Sequence, residues 1–181
     1  MSKNPTEQST MEELDLPLER DGFVRDMLRE LSGVLEEVVG LDHATGFISV
    51  VGQRIGGRIG RSYRAALGAE RLSPSQVGSV LVDLKRRIQG DFEVVEQDEE
   101  KIVLTATACP FGDKVHGRSS MCMMTSNVFG TIVADELGYA RVELEQTIAR
   151  GDGGCRVVVC LQEAGAEASL TAREYYRNEE E

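Results

Sequence analysis

The apolar residues of this chain change their period once, near Gly90, and that change decides the fold class. Upstream they recur every three or four residues, as in a helix with one buried face. Val24, Met27, Leu28, Leu31, Val34, Leu35 and Val38 predict a first helix over about 21–39, with Gly40 as its stop. Ile48, Val51, Ile55 and Ile59 predict a second over about 45–67. Ser73 as N-cap and Pro74 at the first helical position open a third, lined by Val77, Leu81, Leu84 and Ile88 and ended by Gly90.

Beyond Gly90 the pattern predicts strands over 92–96 and 102–107 around a 97–100 turn. A second pair, over 140–149 and 155–161, flanks the glycine-rich turn 151–154. Between the pairs, a loop over 109–118 leads into a fourth helix, capped by Ser119 or Ser120 and running to about Leu137. The order ααα-ββ-α-ββ with short turns predicts an α+β fold, an antiparallel sheet covered by helices. Residues 1–18 read as a flexible leader, 19–163 as one domain, and 164–181 as a polar tail with room for one last helix.

Charge and hydropathy narrow the function. The formal net charge is −11, a poor match to nucleic acid phosphates, so no direct nucleic acid binding is expected. The start is polar and lacks the apolar run of a signal peptide. The longest mostly apolar stretch, 47–59, is interrupted by Arg54 and Arg58, so no membrane span is expected. A cytoplasmic protein follows, in which four cysteines are reduced thiols or metal ligands rather than disulfides.

Three of those cysteines fall at element ends. Cys109 follows the second strand and precedes Pro110, Cys122 sits in the first turn of the fourth helix, and Cys155 leaves the glycine turn. Element ends are where sites are built, and a helix N-terminus favours thiolate at Cys122. Cys160 lies five residues past Cys155, an odd separation that puts it on the opposite strand face, where it reads as a small core residue. Core packing is the competing reading for all of them, because free cysteines are often buried. His116, in the intervening loop, is the candidate fourth ligand of a Cys3His zinc set, or else a solvated loop histidine. Thiolates equally suit an iron–sulfur cluster, with one iron left to an exchangeable ligand.

The run Ala108-Cys109-Pro110-Phe111, then Cys122, Leu137-Gly138-Tyr139, the 148–151 stretch with Asp152, and Cys155-Arg156-Val157-Val158-Val159 resembles the methanogen output domain family. It is also similar, at a greater distance, to the 4-vinyl-reductase-like ligand-binding domains. The resemblance covers roughly 42–162. The cysteine pattern is similar to that of Suf-operon iron–sulfur repressors, which implies Cys109, Cys122 and Cys155 as ligands of a cluster of the 4Fe-4S type. Those repressors carry a winged helix-turn-helix, and no convincing one is read here. The vinyl-reductase likeness implies instead structural zinc on a similar set, beside a pocket for a small apolar ligand.

Other features carry less. Gly52, Gly56 and Gly60 match neither nucleotide-loop pattern and predict close helix packing. Arg54, Arg58, Arg61 and Arg64 read as a solvated helix face, with anion docking as the alternative. Met121, Met123 and Met124 flank Cys122 as pocket wall or core. Neither a Ser-His-Asp set nor a carboxylate pair with a partner can be argued, so a tetrapyrrole-related enzyme is the weakest reading. The expectation is a sensor that signals redox, oxygen, nitric oxide or iron status to a partner protein. It is expected to be a homodimer through the first helix or the glycine-faced second helix.

Overall fold

The structure is a computed structural model and describes residues 18–163 and 172–177. The expected leader, apart from Leu18, and much of the expected tail lie outside the described residues. The fold is α+β, with three helices and a five-stranded antiparallel sheet among the described residues.

Helix α1 spans Arg20–Leu67 and joins the first two expected helices end to end. Gly40 separates its two arms, with φ 78° and ψ 159°, a conformation open to glycine and closed to other residues. The stop read at Gly40 is therefore a kink, and residues 41–44 continue as helix rather than loop. Helix α2 spans Pro74–Arg87. Its capping box is complete: Ser73 accepts from the Gln76 amide, and the Gln76 side chain accepts from the Ser73 amide.

Strands β1 (Glu93–Gln97) and β2 (Lys101–Ala106) form a hairpin. A 3₁₀ turn at Gly112–Val115 leads to helix α3, Ser119–Leu137. Strand β3 runs Tyr139–Gln146, and a 3₁₀ turn at Ile148–Arg150 takes the place of its expected last residues. Strand β4 is Cys155–Cys160, and β5 is Arg173–Tyr176. The sheet order is β1-β2-β4-β3-β5, so β4 inserts between β2 and β3 and joins the two hairpins. Strand β5 lies in the stretch read as a polar tail. It pairs antiparallel with β3, so these residues extend the sheet and form no last helix.

The layers follow from side-chain alternation. Ile102, Leu104, Ala106, Ala140, Val142, Val157, Val159 and Tyr175 turn to one face and meet α2 and α3. Phe129 of α3 is fully buried there, edge-on to Phe92 at 5.7 Å between ring centres. Helix α3 is covered on its other side by the second arm of α1, where the glycine ladder does what its spacing predicts. A Cβ at Gly52 would lie 2.6 Å from the Asn127 Cβ, and one at Gly56 would lie 3.1 Å from the Val128 carbonyl oxygen. That face is filled by α3 of the same chain, which removes it as a dimer surface.

The first arm of α1 packs the other way round. Its polar side faces the domain: Arg29 donates to the carbonyls of Lys114 and His116, and Glu36 accepts from Ser120 and pairs with Arg118. Ser32 and Gly33 are buried, while Phe23, Met27, Leu31, Val34 and Val38 face out, Val38 at 75% exposure. Ser120 is therefore tied to α1 and caps nothing. The N-cap position of α3 is Arg118, without a side-chain cap.

Candidate functional site

Cys109, Cys122 and Cys155 all line one cavity, together with Phe92, Phe111, Thr125 and Thr147. It lies on the seam between the main core and a small second cluster built on Val115, Met121 and Ala149. Its volume is about 20 Å³, enough for one water-sized occupant.

Each thiol is placed by its own local device. Asp91 holds the approach to Cys109: its carboxylate accepts from the Thr107 and Ala108 amides, at 2.9 and 2.6 Å, and from the Thr107 hydroxyl. The loop then turns back through a Gly112 amide to Cys109 carbonyl bond. Cys155 stands opposite Ala106 in the β2–β4 register. Gly154 permits that approach, since a Cβ there would lie 2.7 Å from the Ala106 carbonyl oxygen. Cys122 rides on the first turn of α3 and lines the cavity with Thr147, whose amide donates to Asp152 at 2.7 Å.

The fourth group in this environment was missed in the sequence. Lys85 is 4% exposed, and its Nζ donates to Thr125 Oγ1 at 2.7 Å. It lies over the rings of Phe92 and Phe129, at 5.1 and 5.2 Å. Burial lowers its pKa from 10.5 to about 8, against the smaller opposing pull of negative charge on Cys109, Cys155 and Cys122. Among the described residues no carboxylate shares in that balance. The sequence hid this lysine, because Lys85-Arg86-Arg87 looks like an ordinary basic last turn. Its spacing of four from Leu81 was the available signal. Ile88, placed in the apolar stripe by the sequence, is exposed instead.

Burial dominates the thiols as well. It raises Cys109 above its ordinary value and takes Cys122 from 9.0 to about 11, so the helix N-terminus does not win there. Burial thus favours the protonated thiol at Cys109 and Cys122, beside the buried lysine.

His116 is exposed and absent from the cavity lining, and its backbone carbonyl is what α1 grips. Cys160 is half-buried on the opposite face of β4, as its odd spacing predicts, with its sulfur 3.4 Å from Arg141 Nη2. Met121 belongs to the small second cluster, and Met124 packs on the main core. Glu143 and Glu145 pair with Arg141 and Arg156 on the open face of the sheet. Among the described residues, no three His, Cys, Asp or Glu stand arranged to share one metal ion. None of the described helices is long and apolar enough to cross a membrane.

Fold and site together define a small α+β domain with a thiol-lined internal pocket. The chain matches the model of methanogen output domain 1 over residues 27–160 and belongs to that family. An output domain is a regulatory module that works through other domains or partners. No curated protein matches the chain. Among solved structures it is similar to trafficking protein particle complex subunit 3 from Naegleria fowleri, covalently bound to palmitic acid. That match has 14% identity and a TM-score of 0.52, and covers 78% of this chain and 96% of the other. At such identity the likeness is one of fold.

Proposed function

We propose that this chain is a regulatory output module whose state is set by a thiol-ligated metal centre on Cys109, Cys122 and Cys155 and is passed to a partner protein. The observation that carries it is the convergence of three cysteines, from three separate elements, on one cavity beside a buried lysine. A buried ammonium without a carboxylate is costly unless an anion arrives. Three thiolates around either a 2+ cluster or a zinc ion give a centre of net charge −1, which Lys85 would neutralise. Ligand thiols must lose their protons to bind metal, which cancels the burial effect on Cys109 and Cys122.

The iron–sulfur cluster, of the 4Fe-4S type, is the first reading, because three thiolates leave one iron open to oxygen, nitric oxide or another small signal. A cluster is larger than the present cavity, so loading it displaces the 109–118 loop. That loop is gripped by Arg29 of α1, which gives the centre a mechanical route to the outward apolar stripe. Zinc is the second reading, favoured by a cavity the size of one small occupant. His116 would have to turn inward to serve as fourth ligand in either case. The cavity does not accommodate a long acyl chain, which separates this pocket from the palmitate of the Naegleria protein.

The test is metal and sulfide analysis with an absorbance spectrum on protein purified without air, alongside Cys109→Ala. Iron and acid-labile sulfide with visible absorbance, lost in the variant, is the expected outcome. About one zinc per chain without colour selects the second reading. Protein that stays colourless and metal-free after reconstitution overturns both.

A further inference from the structure

The second arm of α1 carries a site of different chemistry. We propose that the open groove between α1, the C-terminal end of α3 and the end of β5 binds an extended polyanion of the oligophosphate class. The groove encloses about 780 Å³, within the range of small-ligand sites. Arg54, Arg61, Arg64, Arg71 and Arg177 line it, against two carboxylates, Glu70 and Asp135. Among the described residues, a local excess of three positive charges thus stands in a chain whose net charge is −11. Concentrating cations against the overall charge raises the local potential and draws anions in.

The arginines divide into two groups. Arg71 and Arg177 are held by the end of α3, donating to the carbonyls of Asp135 at 3.2 Å and, for Arg177, Glu136 at 3.3 Å. Arg64 pairs with the buried Glu136 at 3.4 Å. These three form a fixed frame. Arg54 and Arg61 are exposed and make no ion pair among the described residues. Seven residues separate them, two helical turns or about 10 Å along one face. Gly57 lies between them, and a Cβ there would come within 3.4 Å of Arg61 Nη1, so the floor is kept open.

The lining selects the ligand class. Guanidinium forks match phosphate oxygens in bidentate geometry. Among the described residues of the lining, Val50 is the sole large apolar one, and none is an aromatic on which a nucleobase would stack. Two guanidiniums two turns apart suit a chain of phosphates better than a single one. Along α3 the groove lies about 20 Å from Cys122, thirteen residues at 1.5 Å each, so it stands independently of the metal reading.

The experiment is calorimetric titration of the full chain with inorganic tripolyphosphate at two salt concentrations. Saturable one-to-one binding that weakens as salt rises is expected. The double variant Arg54→Ala/Arg61→Ala should lose about tenfold or more in affinity, the scale of two charge-assisted contacts. Arg58→Ala removes an exposed arginine of the same helix that is outside the groove lining, and should leave affinity within about twofold, as expected for a solvated surface charge that makes no direct contact with the ligand. Absence of saturable binding, or an equal loss in Arg58→Ala, overturns the proposal. Tighter binding of a poly-glutamate peptide than of tripolyphosphate also overturns it and points to an acidic protein segment as the occupant.

Discussion

Lys85 is the residue on which the proposed centre turns. Its folded pKa of about 8 lies below its ordinary 10.5, so between those values the unfolded chain holds a proton that the folded chain has lost. Stability of the metal-free protein therefore rises with pH across that window. Cys122 works the other way above its ordinary 9.0, because its folded value is raised to about 11. The net gain is confined to about pH 8–9 and amounts to about 1 kcal/mol for one pH unit. In metal-free Lys85→Met this rise should vanish, and the variant should be about 1–4 kcal/mol more stable than wild type at pH 7. Denaturant melts at pH 7, 8 and 9 read both effects, and equal slopes in the two proteins would show that Lys85 is already neutralised by something else. The same variant should take up metal more weakly, because the compensating charge is gone.

At the scale of the element, the first arm of α1 is amphipathic in reverse. Arg25, Arg29, Ser32, Gly33 and Glu36 face the domain, and Phe23, Met27, Leu31, Val34 and Val38 face outward. A long exposed apolar stripe on a charged helix marks an interaction surface. We propose a second copy of the chain as its occupant, because two copies of one apolar stripe cover each other when the arms pair antiparallel about a two-fold axis, while Arg29 and Glu36 stay engaged with their own domain. Light scattering coupled to gel filtration should find a dimer for wild type and a monomer for Leu31→Glu/Val34→Glu, with helical content retained. A wild type that is monomeric at tens of micromolar would leave the stripe to a different partner. Because Arg29 ties this helix to the 109–118 loop, metal loading should also shift the dimer equilibrium.

For the whole molecule, closure depends on β5. Tyr175 lies across Gly130 of α3 so closely that a Cβ there would come within 2.1 Å of the ring, and its hydroxyl and that of Ser126 stand 2.9 Å apart in a hydrogen bond. Arg173 reaches Ser49 of α1 at 2.9 Å, and Arg177 reaches the end of α3. A strand far along the sequence thus ties sheet, α3 and α1 together. Gly130→Ala should displace the Tyr175 ring and cost about 1–3 kcal/mol, the usual range for overpacking a buried site. A chemical melt would show it as a lowered midpoint, and an unchanged midpoint would mean that β5 contributes little to global stability. Gly56→Ala, against the Val128 backbone, is the matching probe on the α1–α3 seam.

Local pattern alone determined the period change at Gly90, the capping box at Ser73, the two hairpins, the glycine seam and the odd spacing that separates Cys160 from Cys155. Each of these depends on neighbours within a few residues, where periodicity and turn chemistry act directly. Their places at predicted element ends brought Cys109, Cys122 and Cys155 forward as a set, and the fold puts all three around one cavity. Only the tertiary structure decided the rest. Strand β5 was illegible because its pairing with β3 spans about thirty residues and its own four carry no clear alternation. Lys85 looked solvated because the rings over it come from Phe92 and Phe129, outside its own helix. The outward face of α1 and the arginine groove have the same origin. Helical spacing fixes which side chains share a face, while what that face meets is set by chain segments distant in sequence, through packing that local pattern does not encode.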